Sequence, residues 1–245
     1  MKQSEWNGFK RFDFDFEGRE TTVVFAEEEN RTDKWLLKAE YFDAFPETEL
    51  ALMRQGYNLV YLKNTTRWGH SDDYEKKFAL SKFLTREFGF CASCAAVGMS
   101  CGGLHSVYLA AAHPEMVSVM YLDAPVMNLL SCPAYMGLSP SSKEAGESFW
   151  NEFYAAKGIS RSELICRRDH PIDMAHILLQ HKIPIILVSG DSDKTVPYCE
   201  NGALLEKYYK ENGGEIEVYM KKGGDHHPHG LPDISTVVDF IRRHY

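Results

Sequence analysis

Short apolar runs alternate with amphipathic helical stretches along most of this chain, and that alternation restricts the fold more than any other feature. Asn58–Leu62 reads as a strand, 74–88 as a helix, 92–97 as a strand, 102–112 as a helix ended by Pro114, and 117–122 as a strand. The rhythm resumes with a strand at 184–188, a helix at 201–211, a strand at 216–220 and a terminal helix over 235–243. Strands joined through helices require right-handed crossovers, which yields a mainly parallel central sheet with helices on both faces, an α/β fold. Such a sheet binds ligands at the carboxyl ends of its strands.

The amino-terminal part reads differently. Phe12-Asp13-Phe14-Asp15-Phe16 alternates apolar and polar residues, Glu17-Gly18-Arg19 supplies a turn, and 21–25 is β-branched and aromatic, so the pair reads as a hairpin at an antiparallel edge. A short strand at 34–37 follows, then a loop through Phe45-Pro46 and a helix over 47–55 that stops at Gly56. One region breaks the alternation: 125–170 carries Pro133, the cluster Ser139-Pro140-Ser141-Ser142 and the aromatic pair Phe149-Trp150. A stretch this long without the strand–helix rhythm is expected to cover a site, and it reads as a small helical lid inserted at about 126–170. With 245 residues, 44% of them hydrophobic, the chain buries one substantial core, and a single domain over 1–245 is expected.

A net charge of -8 with scattered basic residues gives a phosphate backbone no positive stripe, which argues against nucleic acid as a partner. Met1 to Gly8 lacks the apolar run of a signal peptide, and no later run is long enough to span a bilayer, so no membrane partner and a cytoplasmic location are expected. The six cysteines are read as free thiols. A homo-oligomer is left open.

The chemistry concentrates at Gly98-Met99-Ser100-Cys101-Gly102-Gly103, which follows an apolar strand and opens a helix. In that context a G-x-S-x-G match places the serine on a strained tip with its hydroxyl exposed and the backbone N–H of Cys101 aimed at a developing oxyanion. The competing reading is a glycine-rich turn whose serine merely caps the helix. A serine hydroxyl is a poor nucleophile until a base accepts its proton, so a histidine and an orienting carboxylate must follow, in the order Ser, Asp, His. Asp193, in the loop after the late strand, fits the acid; Asp191 in the same loop and Asp123 after the earlier strand are its rivals. His226, first after Gly223-Gly224-Asp225, fits the base, with His227 and His229 shaping the loop or pocket. A metal reading of Asp225-His226-His227-Pro228-His229 is weaker because one loop rarely supplies a whole site, so neither a metal nor any other cofactor is expected. Cys91-Ala92-Ser93-Cys94 runs into a buried strand and reads as structural, whereas Cys101 stands beside the nucleophile with a side chain open to oxidation or alkylation.

Taken together, these stretches resemble the α/β-hydrolase superfamily over nearly the whole chain. Lys34-Trp35-Leu36-Leu37-Lys38-Ala39-Glu40-Tyr41-Phe42, Gly98 to Gly103, Asp123-Ala124-Pro125-Val126 and His226-His227-Pro228-His229-Gly230-Leu231 look like a group of bacterial esterase-like proteins, some associated with carbohydrate esters. The resemblance implies that the loop after Trp35 is the oxyanion loop, with a backbone N–H of Ala39 or Glu40 joining that of Cys101. The implied function is a serine carboxylesterase that hydrolyses small acyl or carbohydrate esters through an acyl-enzyme on Ser100. Tyr61, Trp68, His70, Trp150 and His227 are candidates to line the substrate pocket, though each aromatic also suits packing. Two alternatives stand beside this reading: an aminopeptidase or amidase on the same three residues, and a non-catalytic binding protein that kept the pocket.

Overall fold

Strands β4 (Trp35–Lys38), β6 (Cys94–Met99), β7 (Val117–Asp123) and β8 (Ile185–Gly190) are buried over nearly their whole length in the computed structural model, which describes residues 2–140, 143 and 146–245. Near-continuous apolar runs of this kind are what a sheet covered on both faces requires. Successive residues of one strand enter opposite layers: Cys94 and Ala96 join one apolar cluster, Ala95, Val97 and Met99 the other. Helices α2 (Ser71–Phe88), α3 (Cys101–Ala112), α6 (Ala175–Gln180) and α7 (Gly202–Glu211) pack on the first face. Helices α1 (Glu47–Met53) and α8 (Ser235–His244) cover the second.

The remaining strands are β1 (Lys2–Trp6), β2 (Phe9–Phe16), β3 (Arg19–Phe25), β5 (Asn58–Leu62) and β9 (Ile216–Lys221), and the sheet order is β1-β2-β3-β5-β4-β6-β7-β8-β9. Pairing is antiparallel from β1 to β5 and parallel from there to β9. The hairpin and the parallel sheet therefore lie where the periodicity puts them. Strand β1 was not legible, because Trp6 is its one buried residue and no alternation marks it. Helix α2 starts three residues before the apolar pattern does: its first turn, Ser71-Asp72-Asp73, is polar, and the His70 ring accepts from the Asp72 N–H at 3.3 Å.

Strands β5 and β6 flank β4 on opposite sides, so the strand order reverses at β4 and a crevice opens at the carboxyl ends of β4 and β6. Over that crevice lies the insertion, with helices α4 (Glu147–Lys157) and α5 (Arg161–Cys166); Ser141 and Ser142 of its serine–proline cluster lie outside the described residues. The insertion is anchored by its own apolar cluster, in which Leu129, Cys132, Trp150, Phe153 and Leu164 meet Trp68, Cys101 and Leu104 of the frame.

Candidate active site

The chain turns sharply where β6 passes into α3, and Ser100 at that point has φ 53° and ψ -120°. Positive φ in a serine is strained, and the surroundings hold it there: the Ser100 N–H donates to Asp123 O at 2.9 Å and its carbonyl accepts from Gly103 and Val126 at 3.0 and 3.1 Å. Gly98 permits the close crossing, since a Cβ there would sit 2.5 Å from the Gly102 carbonyl oxygen. The result is a side chain projected away from the sheet, with the N-terminus of α3 directly behind it.

Two loops meet that side chain. Beyond β8, the Asp193 carboxylate accepts from the backbone N–H groups of Thr195 and Val196, both at 2.8 Å, and its other oxygen lies 2.7 Å from His226 Nδ1. His226 Nε2 in turn lies 3.0 Å from Ser100 Oγ. Asp193, His226 and Ser100 thus form one continuous hydrogen-bonded chain, with Asp193 4% and His226 6% exposed. Of the rival carboxylates, Asp191 braces the two loops instead, accepting from the Gly223 N–H at 2.7 Å. Asp225 does the same from the other side, accepting from Lys194 and His226 N–H groups at 3.1 and 2.8 Å. Those backbone hydrogen bonds hold its carboxyl below the usual carboxylate range. Asp123, the third candidate, belongs to a second pair: it accepts from the Gly230 N–H at 2.6 Å and the Tyr121 hydroxyl at 3.0 Å, and lies 2.8 Å from His229 Nδ1.

The loop after β4 corrects one expectation. The Ala39 N–H donates to Val97 O at 2.9 Å, continuing the ladder between β4 and β6, so it has no hydrogen left for an oxyanion. Glu40 comes next and stands over the first turn of α3, its backbone nitrogen 3.5 Å from where a Cβ on Gly102 would be. Both ends of the loop are pinned by Lys38, which is fully buried, donates to Ala44 O at 2.9 Å and pairs with buried Glu49. Behind it, Asn64 donates to Ala39 O at 2.7 Å and to the Glu40 carboxylate, and itself accepts from buried Lys77. Burial brings the Lys77 ammonium down to about 8, against the pull of Asp73 and Glu40. Nothing in the periodicity marks Lys38, Asn64 or Lys77 as site residues.

Ser100, Cys101 and the three histidines open onto a cavity of about 360 Å³, at the small end of ligand pockets. Its walls are chiefly apolar, from Tyr41, Phe45, Trp68, Met99, Cys132, Phe149 and Val196, with Arg67 and Thr195 as polar groups. Of the expected pocket residues, Trp68 and His227 line it. The other three do not. Tyr61 faces a shallow surface pocket beside β2, and His70 lines a separate cavity of about 590 Å³ under α4 that does not reach Ser100. Trp150 stacks on Phe153 at 5.5 Å beneath the Arg161 guanidinium and packs the insertion. Its neighbour Phe149 takes the wall position, a one-residue helical rotation that the aromatic pair could not reveal. The Cys101 side chain is also buried, 3% exposed, and burial pushes its thiol up to about 12, which removes the expected reactivity. Burial and the two neighbouring histidines hold the His227 imidazole below the usual histidine range.

No helix among the described residues is long and apolar enough to cross a membrane. A search of curated proteins finds no match to this sequence. Solved structures of similar fold include Est1E from Butyrivibrio proteoclasticus, at 16% identity and TM-score 0.62 over 95% of this chain and 96% of that one. MPT51 (FbpC1) of Mycobacterium tuberculosis is similar at 18% identity and TM-score 0.63, covering 93% of this chain and 94% of its own. The acylaminoacyl peptidase of Pyrococcus horikoshii matches at 15% identity and TM-score 0.63 over 89% of this chain, which spans only 38% of that longer protein. A family model described as "Putative esterase" matches residues 54–233, a span that contains Ser100, Asp193 and His226. The chain therefore belongs to that esterase family and has the α/β-hydrolase fold.

Proposed function

We propose that this protein is a carboxylesterase that hydrolyses small acyl or carbohydrate esters through an acyl-enzyme on Ser100. The observation that carries the reading is the run of short contacts from Asp193 through His226 to Ser100, 2.7 and 3.0 Å, at the edge of a small apolar cavity. With its Nδ1–H donated to Asp193, His226 presents a lone pair at Nε2 to the serine hydroxyl. Ser100 Oγ attacks the ester carbonyl while His226 accepts its proton; the alcohol leaves with that proton, and water repeats the sequence on the acyl-enzyme. The carbonyl oxygen gathers charge at the N-terminus of α3, where the N–H of Cys101 and that of Glu40 receive it.

The apolar wall of Trp68, Cys132, Phe149 and Val196 suits a short or aromatic acyl group, and the resemblance to carbohydrate esterases suits a sugar leaving group. Est1E, similar in fold and length, has been captured with ferulic acid, so a ferulate ester belongs in the test panel. The six unpaired cysteines suit a reducing compartment such as the cytoplasm. The test is a panel of p-nitrophenyl acyl esters, acetylated and feruloylated sugars and aminoacyl p-nitroanilides. Ester turnover that exceeds amide turnover and vanishes in Ser100→Ala supports the reading; faster turnover of aminoacyl amides overturns it in favour of a peptidase.

A further inference from the structure

Three imidazoles converge at the mouth of the cavity, and the reaction uses one of them. One ring nitrogen each from His226, His227 and His229 lies within 4.8 Å of the others. The rings stand edge to face in every pairing, with centres 4.8, 5.0 and 4.8 Å apart. Three imidazoles on a tetrahedral zinc ion, with Zn–N of about 2.0–2.1 Å, have ring centres roughly 5 Å apart, so the arrangement already has the spacing of such a site. The nitrogens of bound ligands lie roughly 3.3 Å apart, so the trio draws in on binding. His227 can supply that movement: it is exposed, stacks on Phe45, and makes no side-chain hydrogen bond among the described residues.

The carboxylates behind the rings are the second observation. His226 and His229 each have Nδ1 on a buried aspartate, Asp193 at 2.7 Å and Asp123 at 2.8 Å. A carboxylate on Nδ1 fixes the tautomer in which Nε2 bears a free lone pair, the usual arrangement behind a metal-ligating histidine. No proton need leave either ring for a cation to bind.

We propose that His226, His227 and His229 form a binding site for a borderline divalent cation of the zinc type, and that its occupation switches the enzyme off. The inhibition rests on the esterase reading: a cation on His226 Nε2 takes the lone pair that would accept the Ser100 proton, so metal and turnover exclude one another. Release of the cation restores the base without rearrangement of the frame.

The experiment uses protein stripped with EDTA and carrying Cys166→Ser and Cys199→Ser, which removes the two exposed thiols. Calorimetric titration with zinc chloride should show one ion per chain, retained in Ser100→Ala. Zinc should also block both fluorophosphonate labelling and ester turnover, and EDTA should restore them. His227→Ala and Asp123→Asn should each weaken zinc binding about tenfold or more, and should shift inhibition by the same factor relative to each variant's own metal-free rate. Absence of binding at millimolar zinc, binding indifferent to both substitutions, or binding without inhibition overturns the proposal. A metal-free wild type that the fluorophosphonate does not label refutes the serine reading instead, and the calorimetry still decides the metal site.

Discussion

Among the described residues, two aspartate–histidine pairs are built on neighbouring strands, and they differ in what the outer ring nitrogen meets. Asp193, after β8, holds His226, whose Nε2 reaches Ser100 at 3.0 Å. Asp123, at the end of β7, holds His229, which lines the same cavity without touching the serine. Their support differs too. Asp193 is fixed by two N–H groups of its own loop, Thr195 and Val196, whereas Asp123 ties β7 to the histidine loop through the Gly230 N–H and has Lys221 Nζ 3.8 Å away. The same pair of residue types therefore reaches a serine hydroxyl in one place and fastens a loop in the other, and the position of that hydroxyl separates the two pairs.

Substitutions that break this contrast should scale accordingly. Ser100→Ala removes the atom that distinguishes the pairs, and kcat/KM for a p-nitrophenyl ester should fall by ~10⁵-fold with the thermal midpoint nearly unchanged. Asp193→Asn should cost about 10⁴-fold in kcat through loss of the correct tautomer, while Asp123→Asn should cost less than about tenfold. Equal losses for the two would mean that the pairs share the catalytic work. The order reverses for stability: Asp123→Asn should lower the unfolding free energy by about 1–3 kcal/mol in urea, because buried His229 and the partly buried Gly230 N–H lose a charged acceptor. Gly98→Ala tests the turn that aims the serine, and its Cβ against the Gly102 carbonyl should cost about 1–3 kcal/mol and reduce fluorophosphonate labelling.

The smallest effect concerns Cys101. A thiol held near 12 has ~10⁻⁴ of its population as thiolate at pH 8, and that fraction rises tenfold for each unit of pH. Iodoacetamide at pH 8, read by mass spectrometry, should label exposed Cys166 and Cys199 and leave Cys101 unmodified. Rapid labelling of Cys101 would place its side chain in solvent and the insertion away from the cavity.

Much of the frame is legible because its signals are local. Gly98 and Gly102 around Ser100, between a strand and a helix, describe a turn whose geometry is set by adjacent residues. The loops after β8 and β9 follow by element order, which brings Asp193 and His226 to one end of the sheet. The pocket is less legible. Trp68 and His227 line it, but Tyr61, His70 and Trp150 belong elsewhere, because composition says that an aromatic is present and not which way its helix or strand turns it.

By itself, then, the sequence determined the α/β alternation, the sharp turn at Ser100 and the element order that brings the loops of Asp193 and His226 to the same end of the sheet, since each depends on neighbours within a few residues or on element order. Tertiary structure alone decided that the Ala39 N–H is consumed by β6, that buried Lys38 pins the loop after β4, and that Asp123 takes His229 while Asp193 takes His226. These are contacts between residues far apart in the chain. Their outcome depends on strand register and on distances of a few tenths of an ångström, which no local pattern of residue types encodes.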